Sequence, residues 1–497
     1  MKLSDVLNIC CSNEIEKFTP RIIQGSDDVF VKGITADSRK VDEDYIFVCI
    51  KGAVSDGHKY ISQAAGKASV IVVEEGSEYG EIEAGVTVVS CENTRLALAL
   101  MSAAYFGNPD KKLFTIGITG TKGKTTTTYM VKNVLEACGI KTGLIGTIET
   151  IIGEKTIPSC NTTPESIQIH EYFHEMVEEG CKAVVMEVSS QGLKLDRTAG
   201  ILFDIGVFTN LEPDHIGPNE HESFEEYLEC KAKLFSQCKT GIVNGDDMHV
   251  GDIIKNACCE VESYGIDNDT DIRAVDVKLL HEPGKIGLTY TCKGLVNMDV
   301  ELELPGKFSV YNSLCAIAVT RHFNVDTETL KETLKKVKVK GRIELVKVSD
   351  KFTLMIDYAH NAMSLESILT TLREYNPHRL VCLFGCGGNR SKDRRFEMGE
   401  VSGKLADLTV ITSDNPRFEE PEAIIEDIKT GIGKTNGKYV DIIDRKEAIK
   451  YVIANGEPGD IIVLAGKGHE DYQEIKGVKY PMDERVLIAE VLEELKG

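Results

Sequence analysis

One segment organises this chain, Phe114-Thr-Ile-Gly-Ile-Thr-Gly-Thr-Lys-Gly-Lys-Thr-Thr-Thr-Thr128. A β-branched run ending at Thr119 predicts a buried strand, and residues 125–138 have a helical spacing that Gly139 closes. Glycines between the strand and the helix let backbone N–H groups approach a phosphate chain, and the helix N-terminus adds a positive dipole end. The segment therefore predicts a nucleoside triphosphate site.

This loop departs from the standard pattern Gly-x-x-x-x-Gly-Lys-Ser/Thr, because Ile118 stands five residues before Gly123. Its lysine, Lys124, can still reach the β- and γ-phosphates, and the hydroxyl of Thr125 can ligate Mg²⁺. The strand–turn–helix context favours phosphate binding over an ordinary glycine turn with a solvated lysine.

The composition bounds the class of protein. With 497 residues, of which 42% are hydrophobic and 27% charged, the chain has the make-up of a globular protein with several cores. Its formal charge of -22 argues against non-specific binding to nucleic acid or to an anionic membrane. Any anionic ligand must therefore be held by local lysines, arginines and backbone N–H groups.

The cysteines and the N-terminus indicate the compartment. Fifteen cysteines are scattered, with adjacent pairs at 10–11 and 258–259, which suits neither a zinc site nor a disulfide framework. The N-terminus has no apolar signal region, and no apolar run reaches membrane-spanning length. We expect a cytoplasmic protein with reduced thiols and no membrane insertion.

Strand-like and helix-like segments alternate, which predicts an α/β fold in three domains. Residues 1–105 form the first domain, residues 106–338 a central parallel-sheet domain of the P-loop ATPase type, and residues 339–497 a Rossmann-like α/β domain. Ligands of such sheets sit beyond the carboxyl ends of the strands. Residues 270–304 predict a hairpin appendage, and the basic run 331–340 predicts a linker.

Four side chains of the central region attract attention. Thr163 precedes Pro164 and can cap a helix. Glu187 ends an apolar strand, where a carboxylate without a partner would be costly, so a metal or cation is favoured beside it. His215 follows a strand end beside an acid, which favours a ligand over a core histidine. Lys231 lies on an amphipathic helix and by itself predicts a solvated surface charge.

The C-terminal region carries a glycine cluster at Gly385-Cys-Gly-Gly-Asn-Arg390. It fails the dinucleotide spacing G-x-G-x-x-G, because Arg390 stands where the third glycine belongs. Arg390 and Arg417, together with Glu470, suit an amino-acid zwitterion instead, since guanidinium pairs with carboxylate and glutamate can accept an ammonium.

Motifs of this kind run through nearly the whole chain: Asp37-Ser-Arg39, Gly120-Thr-Lys-Gly-Lys-Thr-Thr126, Asn161-Thr-Thr163, Glu187-Val-Ser-Ser190, Thr209-Asn210 to Asp214-His215, Gly341-Arg342, Asp357-Tyr-Ala-His360 and Gly466-Lys-Gly-His-Glu470. Together they resemble the Mur ligase family, whose members use ATP to join amino acids to UDP-N-acetylmuramoyl peptides. Asp414-Asn-Pro-Arg417 resembles the mark of the branch that adds diaminopimelate.

The resemblance implies site residues by position. ATP contacts fall on Gly120, Thr121, Lys122, Gly123, Lys124, Thr125, Thr126, Asn312 and Arg342. UDP-muramoyl-peptide contacts fall on Ser38, Asn161, Thr162, Thr163, Ser189 and Arg197. The amino-acid pocket falls on Arg390, Asp414, Asn415, Pro416, Arg417, Gly466 and Glu470. Catalytic roles fall on Lys124, Glu187, His215 and Lys231.

Magnesium ligands are implied in the same way, at Thr125, Glu187, His215 and Lys231. The family carries the lysine as a carbamate, which turns a cation into a metal-binding anion. Departures from the family pattern place Lys122, Leu195, Ser309 and Asn361-Ala362 at positions where other residues are usual.

The implied reaction is the ATP- and Mg²⁺-dependent addition of meso-diaminopimelate to the D-glutamate of UDP-N-acetylmuramoyl-L-alanyl-D-glutamate, through an acyl phosphate, in peptidoglycan precursor synthesis. We expect a monomer. Three alternatives stay open: a ligase that adds L-lysine, a ligase of the folylpolyglutamate or cyanophycin type, and a nucleotide-binding regulatory module without ligation.

Overall fold

A computed structural model describes residues 1–52, 55–214, 216–217 and 220–496. The chain divides into two compact units, Met1–Arg273 with Tyr311–Thr329 and Ala274–Val310 with Leu330–Gly497. Parallel-rich sheets covered by helices confirm the predicted α/β class. The three domain boundaries stay a prediction.

The N-terminal part of the first unit is a five-stranded sheet in the order β1-β5-β4-β3-β2. Its elements are α1 (Leu3–Cys11), β1 (Arg21–Gln24), β2 (Gly33–Thr35), β3 (Tyr45–Val48), α2 (Ile61–Ala64), β4 (Val70–Glu74), β5 (Thr87–Cys91) and α3 (Thr94–Tyr105). Strands β2 to β5 pair in parallel, and β1 joins antiparallel at the edge. The apolar runs of β4 and β5 are buried, as expected of parallel strands covered on both faces.

The larger sheet of the first unit runs in the order β13-β12-β11-β6-β10-β7-β8-β9. Its elements are β6 (Phe114–Thr119), α4 (Lys124–Ala137), β7 (Thr142–Ile145), β8 (Glu149–Ile152), β9 (Lys155–Pro158), α5 (Ser166–Glu178), β10 (Ala183–Glu187), α6 (Ser190–Lys194), β11 (Phe203–Phe208), α7 (Phe224–Ala232), β12 (Cys238–Asn244), α8 (Val250–Ile253) and β13 (Glu260–Gly265). Strand β6 sits between β10 and β11, all three parallel and almost wholly buried. The predicted strand 114–119 and the helix after it are confirmed.

The next segment supplies β14 (Ile272–Glu282), β15 (Lys285–Gly294), β16 (Met298–Leu302), α9 (Lys307–Thr320) and α10 (Thr327–Lys336). Strands β15 and β16 pair antiparallel, which confirms the hairpin. The prediction of a linker at 331–340 is wrong for residues 331–336, because these residues belong to α10. Leu330 and Leu334 lie one turn apart and are both buried, so an apolar stripe runs beneath the basic side chains.

The C-terminal part of the second unit is a six-stranded sheet in the order β17-β18-β22-β19-β20-β21. Its elements, with a separate β23–β24 hairpin, are β17 (Glu344–Val346), β18 (Thr353–Asp357), α11 (Ala362–Arg373), β19 (Leu380–Phe384), α12 (Lys392–Leu405), β20 (Leu408–Ile411), α13 (Pro421–Ile432), β21 (Tyr439–Asp441), α14 (Arg445–Ala454), β22 (Ile461–Ala465), β23 (Tyr472–Ile475), β24 (Val478–Pro481) and α15 (Glu484–Glu494). All pairs are parallel except β17 with β18. The α/β alternation predicted for residues 339–497 is present, whereas the short hairpin was not foreseen.

In the part of the chain that the structure describes, no helix combines the length and the apolar character that crossing a bilayer requires.

His170 on α5 gives the first unit a pH-dependent stability. Burial lowers the pKa of this imidazole from 6.5 to about 3, and among the described residues neither ring nitrogen has a hydrogen-bond partner. Between pH 6.5 and pH 3 the imidazole therefore binds a proton in the unfolded state but not in the folded state. The contribution of His170 to the free energy of unfolding is thus largest above pH 6.5 and falls as the pH drops towards 3.

We expect His170→Leu to reduce the loss of unfolding free energy between pH 7.5 and pH 5 by about 2 kcal/mol. Urea titrations at the two pH values measure this loss. His174→Leu is the control, since the side chain of this histidine on the same helix is 41% exposed. An equal pH dependence in wild type and His170→Leu would contradict the assignment.

Candidate functional site

The loop between β6 and α4 is shaped by two glycines in left-handed backbone conformations. Gly120 has φ +145° and Gly123 has φ +84°. A Cβ at Gly120 would lie 1.9 Å from the hydroxyl oxygen of Thr209, and one at Gly123 would lie 2.5 Å from Asn312 Oδ1. No other residue type fits either position, which leaves the loop's N–H groups uncovered by side chains at these points.

Asn210 holds the middle of this loop from the neighbouring strand end. Its Oδ1 accepts from the Lys122 N–H at 2.8 Å, its Nδ2 donates to the Lys122 carbonyl at 3.0 Å, and its own carbonyl accepts from the Thr121 N–H at 2.8 Å. The Lys122 ammonium pairs with Glu212 at 2.6 Å. The backbone of the loop is therefore fixed before any ligand arrives.

Two lysines donate to one carbonyl oxygen of the loop. Lys124 Nζ lies 2.8 Å from the Gly120 oxygen, and Lys231 Nζ lies 2.9 Å from the same atom. Lys231 is buried, 1% exposed, with its Nζ 4.5 Å from the ring centre of Tyr227. Burial, with a smaller contribution from Lys124, holds the pKa of Lys231 well below its usual value. The prediction of a solvated surface charge at Lys231 is therefore wrong.

Glu187, at the end of β10, is buried and fully engaged. Its Oε2 accepts from Thr125 Oγ1 at 3.0 Å and from Thr147 Oγ1 at 3.0 Å, and its Oε1 accepts from the Thr147 N–H at 2.8 Å. Carboxylate and hydroxyl oxygens side by side are the hard donors that Mg²⁺ prefers. Thr126, the next residue of α4, is half-buried.

Thr163 does not cap a helix as predicted. Helix α5 begins at Ser166 with Glu165 at its N-cap, and Thr163 lies before that turn. Its hydroxyl donates to the Glu187 carbonyl at 3.0 Å and accepts from the Ser189 N–H at 2.9 Å. The Thr163 hydroxyl therefore bonds the backbone at the end of β10 instead of capping the helix that follows it in the sequence.

The other predicted peptide contacts lie partly beside this pair. Arg197 donates to the Thr163 carbonyl at 2.9 Å, and the hydroxyls of Thr162 and Thr147 are 3.0 Å apart. Asn161 is exposed in the preceding loop. Ser38 stands apart in the N-terminal sheet region, where its hydroxyl donates to Gln63 at 3.2 Å.

Asn312 and Arg342 complete the predicted ATP contacts, and His215 is the remaining predicted metal ligand. Asn312 lies against Gly123, and its Oδ1 accepts from Thr127 Oγ1 at 3.4 Å. Arg342 belongs to the second unit, with its guanidinium carbon 4.8 Å from the ring centre of Tyr358. His215 lies outside the described residues. Within the described ranges, no three His, Cys, Asp or Glu side chains form a group that could hold a metal.

The second unit brings most of the predicted amino-acid contacts together around Asn415. Its Nδ2 donates to Glu470 Oε2 at 2.9 Å, and its Oδ1 accepts from Lys467 Nζ at 3.0 Å and from the Glu474 N–H at 2.9 Å. Asp414 is buried beside it. A Cβ built on Gly466 would lie 3.2 Å from Asp414 Oδ2.

Arg417 and Arg390 differ in their surroundings. Arg417 donates from Nε to Glu474 at 3.1 Å and from Nη1 to the Gly388 carbonyl at 2.8 Å, so its guanidinium is held in place. The Pro416 carbonyl meets Gly388 so closely that a Cβ on this glycine would lie 1.9 Å from the oxygen. Arg390 is exposed.

A buried arginine beneath this pocket was missed. Arg445 donates to the carbonyls of Ser413 and Ala465, each at 3.1 Å, and pairs with Glu484 at 2.8 Å. These carbonyls directly precede Asp414 and Gly466. Burial raises the pKa of Glu484, and Arg445 opposes that shift. From the sequence, Arg445 is only a charged residue at a helix start, which gave no signal.

Family models match most of the chain. The Mur ligase middle domain matches residues 118–320, the Mur ligase glutamate ligase domain residues 341–468, and the Mur ligase family catalytic domain residues 30–106. Among curated proteins, the UDP-N-acetylmuramoyl-L-alanyl-D-glutamate--2,6-diaminopimelate ligase of Caldanaerobacter subterraneus is 44% identical over 95% of this chain and 97% of its own length.

Solved structures agree with this match. A structure titled UDP-N-acetylmuramoyl-L-alanyl-D-glutamate--2,6-diaminopimelate ligase aligns with TM-score 0.71 at 27% identity, over 100% of this chain and 99% of that one. A folylpolyglutamate synthase of Mycobacterium tuberculosis, complexed with ADP and AMPPCP, aligns with TM-score 0.58 at 18% identity, over 75% of this chain and 92% of that one. The second likeness shows the fold alone.

The glycine loop yields a test that separates ligand binding from backbone strain. Gly123 and Gly139 both have positive φ, but a Cβ at Gly139 would meet nothing within 4 Å. We expect Gly123→Ala to weaken ATP binding by about tenfold to a hundredfold, the size of losing charge-assisted hydrogen bonds. Gly139→Ala should cost only about 1–2 kcal/mol of stability. Titration of a fluorescent ATP analogue measures both affinities, and equal values would contradict the site.

Proposed function

This chain belongs to the Mur ligase family, and on that premise we propose that it adds meso-diaminopimelate to the D-glutamate of UDP-N-acetylmuramoyl-L-alanyl-D-glutamate at the expense of ATP. The match to a curated diaminopimelate ligase over 95% of the chain carries the proposal. The two polar sites fit its demands, because one suits a polyphosphate and the other suits an amino acid. The product belongs to peptidoglycan precursor synthesis.

The reaction proceeds in two displacements. The side-chain carboxylate of D-glutamate attacks the γ-phosphorus of ATP, and ADP leaves with the electrons of the broken phosphorus–oxygen bond. An amine of diaminopimelate then attacks the acyl phosphate carbon, and inorganic phosphate leaves as the amide forms. Phosphoryl transfer asks for positioning and charge neutralisation rather than a protein nucleophile. In this proposal the Lys124 side chain and the backbone N–H groups at the start of α4 supply both.

The donor set around Glu187 fits a magnesium ion. Thr125 and Glu187 offer hydroxyl and carboxylate oxygens 3.0 Å apart, and both are buried. Mg²⁺ bound there would neutralise charge on the phosphates. Lys231 would join as a carbamate, because a lowered pKa makes the neutral amine, which is the form that adds CO₂, easier to reach. His215 is proposed as a further ligand from the family resemblance.

The remaining contacts follow the family positions. We assign the muramoyl peptide to Ser38, Asn161, Thr162, Thr163, Ser189 and Arg197. The diamino acid falls to Arg390, Asp414, Asn415, Pro416, Arg417, Gly466 and Glu470. Asn312 and Arg342 take the nucleotide. We also propose a cytoplasmic monomer, and the cysteines, all free thiols in the described chain, agree with a reducing compartment.

Phosphate release tests the function. The purified protein should release phosphate from ATP when both the UDP-muramoyl dipeptide and meso-diaminopimelate are present, and should do so far more slowly when either is omitted. L-Lysine and L-glutamate are each tested in place of diaminopimelate. Phosphate release that needs neither the dipeptide nor an amino acid would point to a nucleotide hydrolase. Release with the dipeptide and L-lysine, but not with the dipeptide and diaminopimelate, would point to the lysine-adding alternative.

Arg417 tests the preference for a second carboxylate. A guanidinium pairs with the distal carboxylate of diaminopimelate, whereas it repels the ammonium of a lysine side chain. We expect Arg417→Ala to lower kcat/KM for diaminopimelate by about 100-fold, as for a truncated charge pair. Arg373→Ala is the control, since this arginine contacts Leu405 and Asp407 instead. Unchanged kcat/KM in Arg417→Ala would remove the specificity argument.

A further inference from the structure

Lys467 is a fully buried lysine inside the amino-acid pocket, and the reaction described above gives it no role. Its Nζ donates to Asn415 Oδ1 at 3.0 Å, to Glu470 Oε2 at 2.9 Å and to the Tyr472 carbonyl at 2.5 Å. The Tyr472 ring centre lies 5.2 Å from the same nitrogen. A buried ammonium is tolerated only when acceptors surround it, and here three oxygens do so.

These contacts hold Glu470 in one orientation. Its Oε2 accepts from Lys467 and from the Asn415 amide, which itself is fixed through Oδ1. Among residues 1–52, 55–214, 216–217 and 220–496, no donor reaches the other oxygen, Oε1. The side chain of Glu470 is 19% exposed, so a ligand can reach it. One carboxylate oxygen is thus occupied by the protein, and the other is left for an incoming cation.

We infer that Lys467 is a positioning residue that fixes Glu470 to accept an ammonium group of the incoming diamino acid. This inference rests on the proposed function. Because Lys467 occupies Oε2 of Glu470, a substrate ammonium approaches this carboxylate only from the side of Oε1. Without Lys467 the carboxylate loses a donor and its fixed rotamer, and the substrate must pay the ordering entropy on binding.

The experiment compares Lys467→Met with wild type under saturating ATP and UDP-muramoyl dipeptide. Met keeps most of the length of the lysine side chain and removes the charge. We expect KM for meso-diaminopimelate to rise about tenfold to a hundredfold, as for hydrogen bonds to a charged group. KM for ATP, measured separately with the other two substrates saturating, should change less than about twofold. Lys479→Met is the matched control, since Lys479 also lies over the Tyr472 ring, at 3.9 Å, but is exposed.

A double-mutant cycle with Glu470→Gln separates positioning from general stability. If Lys467 acts through Glu470, KM for diaminopimelate in the double variant should be no higher than in the single variant with the higher KM. Effects that multiply would overturn the inference. Lys467→Gln, whose amide still donates, allows the same comparison if the Met variant fails to fold, with a smaller expected rise in KM.

The remaining outcomes are distinguishable. A wild-type protein that releases phosphate with both substrates, together with an unaltered KM in Lys467→Met, overturns the inference and leaves the proposed function standing. A wild-type protein that does not respond to the two substrates overturns the proposed function, and the inference with it.

Discussion

Two lysine side chains converge on one backbone oxygen, and the phosphate loop depends on that arrangement. Lys124 and Lys231 both donate to the Gly120 carbonyl, at 2.8 and 2.9 Å. Burial deprives a charged ammonium of its hydration, and a second cation nearby adds repulsion, so the more deeply buried lysine gives up its proton more readily. Lys231 is the buried lysine, and its pKa is lowered. Lys124 remains in contact with the Gly120 carbonyl. The packing that buries Lys231 against the loop therefore also lowers the pKa of this lysine.

The amino-acid pocket of the second unit uses the same principle with different groups. Polar side chains are satisfied by one another before a ligand is bound: Asn415 joins Lys467 to Glu470, and Glu474 holds Arg417. A site whose groups are already oriented loses less entropy when a substrate arrives. Many of the groups proposed to act lie at strand ends or just after them, Lys231 reaches the phosphate loop from α7, and buried neighbours hold these groups in position.

The sequence predicted the phosphate loop because local chemistry decides it: a β-branched strand, glycines and a helix start leave few alternatives around Lys124. It failed where a distant partner decides. Thr163 could have capped a helix, but the carbonyl of Glu187 took its hydroxyl. The periodicity around Lys231 describes a helix with one exposed face and cannot show that a loop packs against that face. Lys467 and Arg445 were missed because a buried charge has no local signature.

Transfer of oxygen tests most directly the claim that ATP activates the carboxylate rather than being simply hydrolysed. The UDP-muramoyl dipeptide is prepared with ¹⁸O in the side-chain carboxylate of D-glutamate and turned over with ATP and meso-diaminopimelate in ordinary water, and the released phosphate is analysed by mass spectrometry. Attack of the carboxylate on the γ-phosphorus predicts one ¹⁸O in each phosphate released. Phosphate without ¹⁸O would contradict an acyl phosphate and with it the proposed reaction.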